Sequence, residues 1–311
     1  MERLIEKELE KWKESIDRLP LIVRGARQVG KSFTIEKFGR ENFESVLIVN
    51  FELQSEFASC FDSLEPSKII AKLELMTEQG VTDGKTLLFL DEIQQCPRAL
   101  LSLRYFKEKR PSLHVISAGS LLEFALNEEN FSFPVGRVQF LFMRPLSFHE
   151  FLENAGYKRL LEHLETVSFN RPLDKSLHDH ILKIVREYLM LGGMPAVVSK
   201  YIKTQSYLEA RHVQTALLES YRNDFGKYAS KAQFKYLQRF FERAPQLVGQ
   251  HFKFVKIDPE ARSRDLKVAL EQLCWTGLIQ RVFATSGNGI PLQAEVNEKK
   301  FKLIFLDVGL M

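Results

Sequence analysis

The sequence predicts an α/β fold, a parallel sheet covered by helices, followed by a mainly helical region. Three observations carry this. Five short apolar runs alternate with helix-periodic stretches over the first 142 residues, as strands do when helical crossovers join them. A glycine-rich loop at residues 25–32 separates the first run from the first crossover. Beyond Pro145 the strand signals give way to helical periodicity.

Residues 1–18 read as a polar helix with Leu4, Ile5, Leu9 and Trp12 on one stripe. It is charged and lacks the apolar segment of a secretory leader. Leu21-Ile22-Val23 is the first strand, and the helix after the loop runs to about Phe38. Residues 46–50 form a second strand whose uninterrupted apolar run predicts burial on both sheet faces. A helix over 66–79 has Pro66 in its first turn. The third strand, 87–90, leads directly into Asp91-Glu92. A helix over 97–109, a strand over 114–118 ending at Gly119-Ser120, and a fifth strand over 138–142 complete this half. Helices are then predicted from Phe148 to about Leu164 and over 177–191, the latter stopped by Gly192-Gly193-Met194-Pro195. Residues 206–249 are mostly helical. A capped helix from Ser263 to Gly277 and a strand over 279–283 outline a winged helix, and a last apolar run covers 301–306.

Composition is that of an ordinary globular protein of 311 residues, long enough for two cores. No apolar run approaches a membrane span, so no membrane partner is expected, and the cytoplasm is the default location. Cys60, Cys96 and Cys274 are odd in number and widely spaced, which suggests neither a disulfide framework nor a CxxC metal site. His178 and His180 lie two apart, on different faces of a helix. Charge is uneven. Residues 1–200 carry 27 Lys and Arg against 29 Asp and Glu, whereas residues 201–311 carry 17 against 11. That basic third could attract nucleic acid or be plain solvated surface.

Gly25-Ala26-Arg27-Gln28-Val29-Gly30-Lys31-Ser32 fits the phosphate-binding P-loop pattern GxxxxGK(S/T). Its glycines let successive N–H groups point at a phosphate. Lys31 would face the β- and γ-phosphates and Ser32 would hold Mg²⁺. The helix continuing through Phe33 adds its dipole. Asp91, at the end of an apolar strand, would hold the Mg²⁺ shell through water, and Glu92 would orient or deprotonate the attacking water. Some sixty residues after a P-loop, the acid pair argues for hydrolysis as well as ATP binding. Ser120 could sense the γ-phosphate or position water, although serine after glycine is also ordinary turn chemistry. Arg137 is a candidate arginine finger, acting in trans in a homo-oligomer, or simply a surface arginine. There is no Asn-Lys-x-Asp guanine signature.

Five segments occur in order: Arg24 to Ser32, Phe89-Leu90-Asp91-Glu92-Ile93-Gln94, Ala118-Gly119-Ser120, Gly136-Arg137 with Arg144-Pro145-Leu146-Ser147-Phe148-His149-Glu150-Phe151, and Gly192-Gly193-Met194-Pro195. Together they resemble the prokaryotic AAA-type ATPases, in the branch related to signal-transducing STAND ATPases. The resemblance implies an ATPase core at 1–150, a helical lid at 151–205 and a winged-helix-like region at 206–295. It also implies that 296–311 opens a C-terminal domain with a restriction-endonuclease-like fold, whose nuclease site would lie beyond Met311. By the same resemblance Pro195 packs near the nucleotide from the lid; read locally, Gly193 and Pro195 only end a helix. The leading expectation is a Mg²⁺-dependent ATPase that works as a conformational switch. The alternative is a winged-helix DNA-binding protein regulated by ATP, with Arg262, Arg264 and Lys267 near the recognition helix.

Overall fold

A computed structural model describes residues 1–120, 122, 124 and 136–311. The chain forms two compact units, Glu2–Arg144 and, apart from Met1, Pro145–Met311.

The first unit is built on five parallel strands: β1 (Leu21–Arg24), β2 (Ser45–Asn50), β3 (Thr86–Asp91), β4 (His114–Gly119) and β5 (Gln139–Phe142). Their order in the sheet is β2-β3-β4-β1-β5. Helices α1 (Ile5–Glu14), α2 (Lys31–Asn42), α3 (Pro66–Thr77) and α4 (Pro97–Lys109) cover it. Every residue of β3 and β4 is buried, polar Thr86, Asp91, His114 and Ser117 included, because both strands have a neighbour on each side and lie under the covering helices. β2 departs from the expectation of burial on both faces. It is an edge strand, so only Leu47 and Val49 are fully buried. Around the sheet, Phe57 and Phe61 pack with Ile69, Leu73, Leu100 and Phe106. Leu9 and Trp12 bury the stripe of α1, and the Trp12 indole N–H donates to the Leu19 carbonyl at 2.7 Å.

The second unit holds α5 (Phe148–Asn154), α6 (Lys158–Glu165), α7 (Lys175–Leu191), α8 (Pro195–Thr204), α9 (Tyr207–Tyr228), α10 (Lys231–Arg243) and α11 (Ser263–Trp275). An antiparallel hairpin, β6 (Ile279–Thr285) and β7 (Val296–Phe305), follows. The single helix expected from Phe148 is split, because Gly156 adopts φ 89°, a conformation that interrupts a helix. Ser147 and Glu150 form a capping box at the start of α5: the Ser147 hydroxyl accepts from the Glu150 N–H at 3.2 Å, and Glu150 Oε2 accepts from the Ser147 N–H at 2.8 Å. Among the described residues no helix is long and apolar enough to cross a membrane.

The Gly192-Gly193 turn does more than end α7. The Gly193 N–H donates to Asp307 Oδ2 at 2.6 Å, and its carbonyl accepts from the Leu146 N–H at 2.6 Å. Tyr188 donates to the Leu146 carbonyl at 2.7 Å, and the Gly309 N–H donates to Asp307 Oδ1 at 3.0 Å. Burial pushes the Asp307 carboxyl up from the usual range. A Cβ on Gly193 would sit 2.0 Å from the Leu146 carbonyl oxygen, a backbone atom that cannot swing away. Gly193→Ala should therefore lower the unfolding free energy by about 3 kcal/mol. Urea denaturation checks this, and an unchanged midpoint would show that the turn can open without cost.

Candidate functional site

The strand order puts the carboxyl ends of β3, β4 and β1 side by side, with Arg24 opposite Gly119 and Asn50 opposite Asp91. Loops leaving these ends meet at one edge, where ligands of open α/β sheets bind. The P-loop leaves β1 at Gly25 (φ 148°), where a Cβ would lie 2.1 Å from the Met143 carbonyl oxygen. Ala26 and Val29 are buried and anchor the loop from within. Gln28 and Gly30 take φ of 63° and 94°, the left-handed turns that curl it. Arg27 is half-buried and Gln28 exposed. Helix α2 then starts with no capping side chain and no acid in its first turn. Its N-terminal amides and dipole suit an anion.

Lys31 is buried, and its Nζ donates to the carbonyls of Gly25 at 2.9 Å and Ala26 at 2.8 Å. Burial lowers its pKa from 10.5 to about 8, against the opposing pull of Glu92 and Asp91. Ser32 Oγ donates to Asp91 Oδ2 at 2.8 Å across 59 residues of sequence. Asp91 also accepts from Asn50 Nδ2 at 3.1 Å and from the Glu92 backbone N–H at 3.0 Å. Ser32 and Asp91 are hard oxygen donors, the kind that Mg²⁺ takes one or two of beside phosphate and water. Among the described residues no cluster of three His, Cys, Asp or Glu could cage a metal alone.

Glu92 follows in a left-handed conformation, φ 50° and ψ 43°, and its Oε2 accepts from Gln94 Nε2 at 2.5 Å. Ser120 is buried just beyond β4. Ser117 lies within that strand and donates to the Leu21 carbonyl at 3.3 Å. Phe33 is 62% exposed in the first turn of α2.

Arg137 does not join this group within one chain. It precedes β5, whose first residue pairs with the first residue of β1, so it sits at the opposite edge of the sheet from the P-loop. There it faces Glu108 at 3.7 Å as an exposed ion pair. Pro195 lies in the second unit, at the first turn of α8.

Three residues gain a role only from the structure. Arg3 is buried, donating from one guanidinium nitrogen to the Val29 carbonyl at 2.9 Å and from the other to the Arg144 carbonyl at 2.6 Å. It braces the P-loop from a segment whose charged pattern gives no hint of it. Asn50 ends an apolar run as Asp91 does, and that parallel is the available signal. Gln94 is the third.

Residues 17–152 match the family model of an AAA domain, and residues 182–311 match a domain of unknown function (DUF8612). The first unit thus carries an AAA-type match over its sheet and P-loop. No curated protein matches the chain. Solved structures of similar arrangement include the Aeropyrum pernix ORC1 protein in complex with DNA, at 10% identity and TM-score 0.37, covering 98% of this chain and 90% of that one. The Aeropyrum pernix ORC2 protein in ADPNP–ADP complexes is 13% identical, TM-score 0.40, with coverages of 90% and 88%. A single-substitution variant of Thermotoga maritima RuvB is 12% identical, TM-score 0.34, with coverages of 89% and 88%. At such identities and scores, the functional reading rests on the site's own geometry.

Lys31 gives the site a pH signature. Its folded pKa of about 8 lies below the ordinary 10.5, so between those values the folded chain binds fewer protons than the unfolded one. Stability contributed by this group should rise as pH climbs from about 8 to 10.5. Urea midpoints of wild type and Lys31→Met across that window check it. Parallel curves would contradict a buried, charge-penalised lysine.

Proposed function

We propose that this chain binds ATP with Mg²⁺, hydrolyses it to ADP and phosphate, and uses the cycle as a conformational switch. One observation carries the reading: Ser32 and Asp91, far apart in sequence, meet at 2.8 Å beside the P-loop lysine. In this reading the amides of Gly25, Ala26, Arg27, Gln28, Val29 and Gly30 cradle the phosphates, and Phe33 flanks the nucleotide. Lys31 exchanges its two loop carbonyls for phosphate oxygens. Ser32 and Asp91 hold the metal ion, which when bound neutralises charge on the phosphates. Glu92 takes the proton of the attacking water, and Ser120 helps orient that water or the terminal phosphate. Arg137 would act only from a second copy in a homo-oligomer, and Pro195 would close over the nucleotide as part of a helical lid.

A second reading, DNA binding by a winged helix under ATP control, draws on the order of α9, α10 and α11 followed by the β6–β7 hairpin. Arg262, Arg264 and Lys267 are exposed around the start of α11, and Lys299, Lys300 and Lys302 are exposed on β7. Affinity for duplex DNA that collapses between about 50 and 200 mM salt would support it. No binding at low salt would end it.

Lys31→Ala should weaken ATP binding about 100-fold. Glu92→Gln should keep binding but slow phosphate release about 100-fold or more. Equilibrium binding and single-turnover assays separate the two effects. Unchanged affinity in the first variant removes the P-loop assignment; full turnover in the second removes Glu92 as base.

A further inference from the structure

Gln94 stands two residues past the carboxylate to which the proposed function gives the water, in a 3-10 turn spanning Ile93–Gln95. Its Nε2 donates to Glu92 Oε2 at 2.5 Å. An ionised carboxylate can only accept, so the amide nitrogen must face Glu92 and the amide oxygen must face away. That oxygen is buried and has no hydrogen-bond partner. It lies 2.3 Å from where a Cβ on Gly119 would stand, at the end of β4 and next to Ser120. A buried acceptor without a donor costs about 1–3 kcal/mol. Here that cost keeps the N–H side of the amide on Glu92.

We infer that Gln94 is a positioning residue for Glu92, the carboxylate that takes the proton of the attacking water. Its N–H fixes the Glu92 carboxylate, whose backbone is held in a conformation that few non-glycine residues adopt. The proton released on attack passes to Glu92, and Gln94 exchanges none. The pairing also explains Gly119: any side chain there would strike Gln94 Oε1 and displace the amide. The inference rests on the proposal that Glu92 activates water.

Gln94→Ala, Gln94→Glu and Gly119→Ala test it, with Glu92→Gln as control. The readouts are kcat and KM for ATP, the pH–rate profile, and a ¹³C-carboxylate NMR titration of Glu92 without nucleotide. Gln94→Ala should lower kcat about 10-fold with KM unchanged, and Gly119→Ala should do the same without altering the amide itself. Gln94→Glu keeps the shape but sets a second carboxylate against Glu92. It should move both the acidic limb of the rate profile and the Glu92 titration upward by about one unit or more. Wild-type kcat in Gln94→Ala alongside an inactive Glu92→Gln would overturn the inference, as would an unmoved Glu92 titration in Gln94→Glu. Turnover retained by Glu92→Gln would instead overturn the role of Glu92 as base, and the titration would still decide whether Gln94 holds that carboxylate.

Discussion

The site depends on Asp91 being held where three chain segments meet. Its carboxylate accepts from Ser32 at the start of α2, from Asn50 at the end of β2 and from the Glu92 backbone. That convergence follows from strand order. β3 lies between β2 and β4, and β4 separates β3 from β1, so the residues ending all these strands gather at one edge. Because the carboxylate is buried, its three donors are needed to offset lost hydration.

Much of this was legible in the residues. Four apolar residues before Asp91 read as a buried strand, and they are buried throughout. The helix over Pro97–Lys109 starts at its proline and finishes in a basic last turn. β2 was less legible: an apolar run looks the same at an edge as at the centre, and only strand order distinguishes the two. The P-loop fits its pattern, but the pattern says nothing of Arg3, because a buried arginine whose partners are carbonyls leaves no periodic trace. Nor could Arg137 be placed from its neighbours. Its position at the amino edge follows from the parallel register of β5 on β1.

The second unit shows the same limit. Glycines at 192 and 193 read as a helix stop, whereas their tighter constraint is the approach of Leu146 and of Asp307, the latter 114 residues beyond Gly193. Sequence adjacency gives no access to such distances. Chain continuity adds one consequence. Met143 and Arg144 bond to Arg24 and Arg3 beside the P-loop, and Leu146, just past Arg144, bonds to Gly193. A short stretch of backbone is thus pinned on each side of the Arg144-Pro145 junction, within a different unit each time.

We propose that the Ser32–Asp91 pair beside Lys31 serves metal-dependent nucleotide hydrolysis. The most direct measurement is phosphate release by the purified wild-type chain with ATP, in Mg²⁺ and then in excess EDTA, with GTP in parallel. Release from ATP in Mg²⁺ that EDTA abolishes is the expected result. Release unaffected by EDTA, or no release in Mg²⁺ from a chain that binds ATP, would contradict it.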